Sequence, residues 1–479
     1  MYMGTALTGM KGILPEIIVL FSGLASVLIG VFNKKNTTKF ITCFIILMAF
    51  LGVAILVYFF KNNYNEVLLN SFLLNKEIII AKIILYLLFI LITLLYLADF
   101  NLTNNIYKFE YVLLMAFSLL GMSIMLSAKN FIILYTGLEL YSLCLYLLAV
   151  FDRDSLTQSE AGVKYLILGA IASGIFLYGV SLVYGFTGSI DFNSLDSVNI
   201  DTFSKASLGA IIGLILIIIA FCFKISAAPF HMWAPDVLEG SSNHAALFIS
   251  SIAKFASVIV LQYQILNNFA DNYSYYEQVI IAAAVLSLIV GSIGGIMQTS
   301  IKRLFAYSSI GNMGFILLGF IGGGYVARTN VINYLIIYTL TTIGFFAIIL
   351  CLRVKGNYKD SIYAFKGIAA QNPILAVLFS IIIFSMIGIP PFAGFFAKFY
   401  ILREIISNDL FGNILAIIAV LSSAVSAFYY LRLIKFMYAD ETSEIIDSPR
   451  YGIIVILLLI AMFCVSYIFF ADLTLKVFF

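Results

Sequence analysis

Six side chains able to hold or pass a proton sit where a long apolar chain tolerates them least. Glu139 lies within "LYTGLELYSLCLYLL" and Lys254 within "LFISSIAKFASVIVL". Lys224 closes the run "LGAIIGLILIIIAFCFK", five residues before Pro229, and His231 comes two residues after that proline. Lys398 follows a second proline break in "GIPPFAGFFAKFYIL", and Lys164 stands in "GVKYLILGA". A charge at the centre of a bilayer costs about 2.5–3.5 kcal/mol on insertion scales, so each of these needs a reason. Tyr135, Glu139, Ser142 and Tyr146 recur at i, i+4, i+7 and i+11, which is one helix face. Ser250, Lys254 and Ser257 form a similar stripe.

The residue types exclude several chemistries. Metal sites want clustered His, Cys or carboxylates. Here the two histidines, His231 and His244, flank a helix break, and Cys43, Cys144, Cys222, Cys351 and Cys464 contain no C-x-x-C pair. No glycine-rich loop follows a strand, so no nucleotide site is visible. The chain is expected to bind no cofactor. What remains suits proton transfer: burial disfavours an ammonium, a neighbouring carboxylate restores it, and a lysine that changes partner can take up and release a proton. Plainer roles stand beside this one. Lys164, one turn inside a span, can snorkel to the interface, buried pairs can be structural, and His231 can cap a broken helix.

The elements that position these groups follow from composition. Hydrophobic residues make up 63% of the 479, charged residues 11%, and the mean hydropathy is +1.08. A soluble domain is about half apolar and about a quarter charged, so this is an all-α integral membrane protein. The net charge of +3 gives no reason to expect nucleic acid as a partner; the lipid bilayer is one. A span needs about 20 apolar residues, and such runs fall near 13–32, 40–60, 78–98, 111–128, 130–151, 162–186, 207–235, 244–267, 277–297, 303–322, 331–353, 373–406, 411–438 and 451–471. That makes about 14 transmembrane helices. The first run lacks a small-residue cleavage site and reads as a helix that stays. Lys and Arg concentrate after odd-numbered spans (Lys34, Lys35, Lys302, Arg303, Arg353, Lys355), which puts both termini on the outer side.

"APFHMW" has an echo in "PPFAGFF", the Pro-Phe pairs lying 391 − 229 = 162 residues apart. The two spans are five apart in order, so they cross in opposite directions, the mark of inverted repeats with a broken helix each. The expected division is 1–110 for helices 1–3, 111–270 for the first five-helix repeat, 271–440 for the second, inverted repeat, and 441–479 for helix 14.

"KISAAPFHMWAPDVLEG" with Lys254 downstream, "GLELYSL", "KRLFAYSSIGNMGF" and "GIPPFAGFFAKFYIL" resemble the antiporter-like, proton-pumping membrane subunits of NADH–quinone oxidoreductase, respiratory complex I. The resemblance spans essentially the whole chain. "LPEIIVL" and "GLELYSL" make it most similar to the N type. It implies fourteen helices, two inverted five-helix repeats, and a non-redox, proton-translocating subunit of a cytoplasmic (inner) membrane. It also implies partners: a neighbouring antiporter-like subunit of the M type and small subunits of the K and J type. By position, Glu139 looks like the glutamate that pairs with Lys224, Lys254 like the central lysine, and Lys398 like the exit lysine. Lys164 and His231 occupy further relay positions. Two relatives in the same superfamily are alternatives, a subunit of a multisubunit sodium/proton exchanger and an M-type subunit. "EGSSNHAALF" departs from the family, which usually carries prolines there, and leaves the geometry of that connection open.

Overall fold

In lipid every backbone N–H and C=O must find a partner within its own segment, so continuous apolar runs become helices. The computed structural model describes residues 11–32, 37–62, 66–68, 71–100, 108–192, 205–269, 273–321, 324–406, 410–440 and 445–477. Its principal helices are α1 (Leu14–Phe32), α2 (Thr37–Lys61), α3 (Lys76–Asp99), α4 (Phe109–Leu126), α5 (Phe131–Ala149), α6 (Leu156–Thr187) and α7 (Lys205–Lys224). They continue with α8 (Trp233–Gly240), α9 (Asn243–Ser250), α10 (Ile252–Val260), α11 (Tyr273–Ile296), α12 (Ile301–Gly319) and α13 (Gly324–Cys351). The last four are α14 (Pro373–Ile387), α15 (Ala393–Ile406), α16 (Leu410–Ala439) and α17 (Tyr451–Val477). A short antiparallel hairpin, β1 (Glu66–Leu68) and β2 (Phe72–Leu74), joins α2 to α3.

Among the described residues, eleven helical segments are long and apolar enough to cross a membrane, counting Asn243–Leu266 as one. Two shorter apolar helices, Leu208–Lys224 and Pro373–Ile387, end at the proline breaks. All fourteen apolar runs of the sequence are largely helical in the described residues. The protein is a multi-pass, all-helical membrane protein.

The chain divides into two compact units, one of Met1–Lys224 with Ile252–Tyr276, the other of Ile225–Ser251 with Glu277–Phe479. In the first, α1 packs on α2 and α4, α4 on α5, and α6 on α7, while α10 lies against α3, α4 and α7. Gly121 and Gly137 set the α4–α5 register. A Cβ on Gly121 would stand 2.8 Å from the Gly137 carbonyl oxygen, so only glycine lets these backbones meet. In the second unit α8 packs on α12, α9 on α13, and α14 on α16 and α17.

Both breaks have one pattern. Ser226 (φ 61°) stands three residues before Pro229, and Gly388 (φ 89°) three before Pro391. The Ala228–Pro229 and Pro390–Pro391 bonds are both cis. Serines satisfy backbone amides that the breaks release. Ala228 N donates to Ser287 Oγ on α11 at 2.8 Å, and Gly394 N donates to Ser385 Oγ on α14 at 3.1 Å. The connection with unusual sequence is also closed by serine. Ser242 caps α9 by accepting from Ala245 N at 3.3 Å. Lys302 Nζ donates to the preceding Ser241 carbonyl at 3.0 Å, and Arg303 bridges to Glu239 at 2.8 Å and Asp236 at 3.1 Å.

Candidate functional site

From Leu208 onward α7 is apolar until its last residue, where the proline break ends it and leaves Lys224 inside the protein. Lys224 Nζ donates to Ser142 Oγ at 2.8 Å and to Tyr146 Oη at 3.4 Å, both on α5. Ser142 spends its own proton on the Leu138 carbonyl at 2.6 Å, so its lone pairs face the ammonium. The Tyr141 and Tyr146 rings stand 5.9 and 5.8 Å from Nζ. The polar stripe on α5 thus meets Lys224, but through its hydroxyls. Among the described residues Glu139 makes no ion pair with Lys224, and its buried Oε1 has no hydrogen-bond partner. Tyr146 is seated by Gly169 of α6, where a Cβ would lie 2.0 Å from the tyrosine oxygen.

Lys254 is 1% exposed, on a span whose apolar window is buried along its whole length. A helix apolar all round belongs in an interior, and α10 lies between α3, α4 and α7. Ser257, three residues on, donates to the Ala253 carbonyl at 2.8 Å, and its oxygen lies 3.2 Å from Tyr141 Oη. With the serine proton spent, Tyr141 is the donor. Tyr141 therefore presents its ring to Lys224 and its hydroxyl to the Lys254 stripe.

In the second unit Lys398 Nζ donates to the Ile387 carbonyl at 2.8 Å and to Ser423 Oγ at 2.9 Å, with the Phe315 ring 5.2 Å away. Ile387 is the last residue of α14, so its carbonyl is one that the break releases, at the negative end of the helix dipole. Two cavities of about 20 Å³ each touch Lys398, each large enough for one water. Asn312 lines both. Its Oδ1 accepts from Tyr334 Oη at 2.8 Å, and its amide donates to Ser308 Oγ at 3.4 Å.

Two candidates stand apart. Lys164 pairs with Glu160 one turn before it at 2.8 Å, with a side chain 41% exposed. His231 is half-buried in the first break, and its Nδ1 has no hydrogen-bond partner among the described residues. Conversely, a buried ion pair escapes the sequence reading. Lys82 on α3 (1% exposed) donates to Glu16 Oε1 in the first turn of α1 (3% exposed), and Ser123 Oγ of α4 donates to the same oxygen at 2.6 Å. Among the described residues no group of three or more His, Cys, Asp or Glu side chains could hold a metal ion.

The sequence profile of the family described as NADH:quinone oxidoreductase/Mrp antiporter, TM, matches residues 128–426. NADH-quinone oxidoreductase subunit N of Paramagnetospirillum magneticum is 40% identical over 441 residues, covering 91% of this chain and 90% of that protein. This chain belongs to the subunit N family. The subunit N fold recurs in a chain of respiratory complex I from Thermus thermophilus, with a TM-score of 0.81 and 25% identity over 96% of this chain and 98% of that one. It recurs too in the Mrp complex from Dietzia sp., with a TM-score of 0.81 and 18% identity over 97% and 96%, a likeness of fold alone. Glu139, Lys164, Lys224, His231, Lys254 and Lys398 all fall within the stretch matched by the profile; Glu16 and Lys82 fall outside it.

Proposed function

We propose that this chain is the non-redox, proton-translocating membrane subunit of an NADH–quinone oxidoreductase, and that Glu139, Lys224, Lys254 and Lys398 carry its protons. The observation that carries the reading is Lys254, a lysine on a completely enclosed helix. Its stripe is hydrogen-bonded to Tyr141, which in turn faces Lys224. An ammonium held by neutral hydroxyls in an apolar site gives up its proton more readily than one beside a carboxylate. Ser142 lies three residues past Glu139, a rise of about 4.5 Å along the helix. Quinone reduction elsewhere in the complex moves Lys224 between Glu139 and these hydroxyls. The proton it releases passes to Lys254, and Lys398 delivers it outward from the end of α14. His231, with an open ring nitrogen in the break, exchanges protons with water there. Lys164, paired with Glu160, acts through the field at the edge of the first repeat.

The setting follows from the same reading. The complex sits in the cytoplasmic membrane, with both termini of this chain outside. Its neighbours are an antiporter-like subunit of the M type and small subunits of the K and J type. The functional repeats are 111–270 and 271–440, after three leading helices in 1–110 and before the last helix in 441–479.

Lys254→Ala tests this. The assembled complex in inverted vesicles should keep reducing quinone and lose most proton pumping. Full pumping by an assembled Lys254→Ala complex overturns the relay.

A further inference from the structure

Glu16 and Lys82 lie outside that line, and their environment is unlike that of a structural lock. Glu16 is in the first turn of α1, Lys82 in the second turn of α3, and Ser123 in the last turn of α4, so the three meet at one end of the bundle. A buried ion pair that only holds helices together needs its remaining donors and acceptors satisfied. This one is half satisfied. Oε1 receives both Lys82 and Ser123, whereas Oε2, equally buried, has no partner among the described residues. Lys82 has three N–H groups, and Glu16 is its one hydrogen-bond partner among the described residues. One turn past Lys82, Tyr86 is fully buried beside Ser123 and Glu16. Its ring is fixed against α2 at Gly52, where a Cβ would be 2.7 Å away. The carboxylate thus has an open acceptor, the ammonium has open donors, and a phenol stands beside them.

We propose that Glu16 and Lys82 form a second proton-exchange site, separate from the Glu139–Lys224–Lys254 line. A proton arriving from water forms an O–H bond at Glu16 Oε2, while an N–H bond of Lys82 breaks and its proton leaves to water. The carboxylate–ammonium pair becomes an acid–amine pair, and net charge stays at zero, which an apolar site favours over either lone ion. Turning the carboxyl group brings its O–H to Nζ, and transfer of that proton restores the first state. One proton has then passed. α10, which bears Lys254, packs on both α3 and α4, so the site flanks the relay helix.

The proposal rests on the reading that this subunit moves protons, and the test separates the two. In the intact complex reconstituted in liposomes, Glu16→Gln combined with Lys82→Met leaves no unpaired charge. This variant should assemble, still reduce quinone, and pump at least one-fifth fewer protons per quinone. Wild-type stoichiometry in the double variant overturns the second site. Infrared difference spectra between resting and turning-over complex give a readout that a structural pair would not move. A carboxylic C=O band that shifts in Glu16→Asp is expected, and the absence of any band that responds to this substitution overturns the proposal. Lys254→Ala, measured alongside, judges the main relay: full pumping there overturns that reading, and the Glu16 site then stands or falls on the infrared band alone.

Discussion

The Tyr141 hydroxyl donates to Ser257 Oγ across 3.2 Å, joining α5 to the helix that carries Lys254. The same ring stands 5.9 Å from Lys224 Nζ. One side chain therefore touches the surroundings of both lysines. A buried hydrogen bond of this kind contributes about 0.5–1.5 kcal/mol, equivalent to about two- to twelvefold in a rate. Tyr141→Phe keeps the ring and removes the donor. Its expected effect is a loss of proton pumping in that range with normal assembly, read from pH-dye quenching in inverted vesicles against complex content.

Lys224→Arg tests whether the lysine must lose its proton. Arginine keeps its charge at any physiological pH. The variant should assemble and pump poorly, while quinone reduction shows whether the two processes remain coupled.

Glu139→Gln and Glu139→Asp separate charge from reach. The glutamine should impair pumping, and the aspartate, with charge kept and one methylene lost, should retain part of it. Parallel vesicle assays decide this, and equal pumping by the glutamine variant and the wild type would show that the charge is dispensable.

Gly169→Ala reaches Lys224 from a third helix. The new Cβ would lie 2.0 Å from Tyr146 Oη, so the tyrosine must move off the lysine. Pumping should fall as it does in Tyr146→Phe. Ring carbons of residue 146 would still lie 2.6 and 2.9 Å from the new Cβ, so the double variant should pump no better than either single one.

Asn312→Leu has nearly the same volume but neither donor nor acceptor. It strands the buried Tyr334 hydroxyl, at about 1–3 kcal/mol, and removes one polar group from the wall of both cavities beside Lys398. Pumping should drop severalfold with the helices still in place, and Asn312→Ser should restore part of it.

The spans were legible because lipid leaves a chain little choice beyond continuous apolar helices. Both breaks were legible because proline cannot continue a helix. Lys224, Lys254 and Lys398 stood out as charges far from any loop, and the structure buries all three. Glu16 and Lys82 did not stand out. Each lies within two turns of a helix start, where a charge reads as interfacial, and only the meeting of α1, α3 and α4 encloses them. Tyr141 was hidden among 29 tyrosines, since nothing in its neighbours says which ring faces a lysine. The exposure of Lys164 had a signal in Glu160, four residues earlier, the spacing of a surface helix pair.

The span from Asn243 to Leu266 is enclosed along its apolar window, whereas the windows of α1, α6 and α16 are no more than about one-third buried. A change in bilayer thickness acts on helices that touch acyl chains, which tilt or stretch to match it. The helix bearing Lys254 has no such contact. Acyl-chain length should therefore alter how this subunit seats in the membrane and associates with others well before it alters the lysine's depth or surroundings.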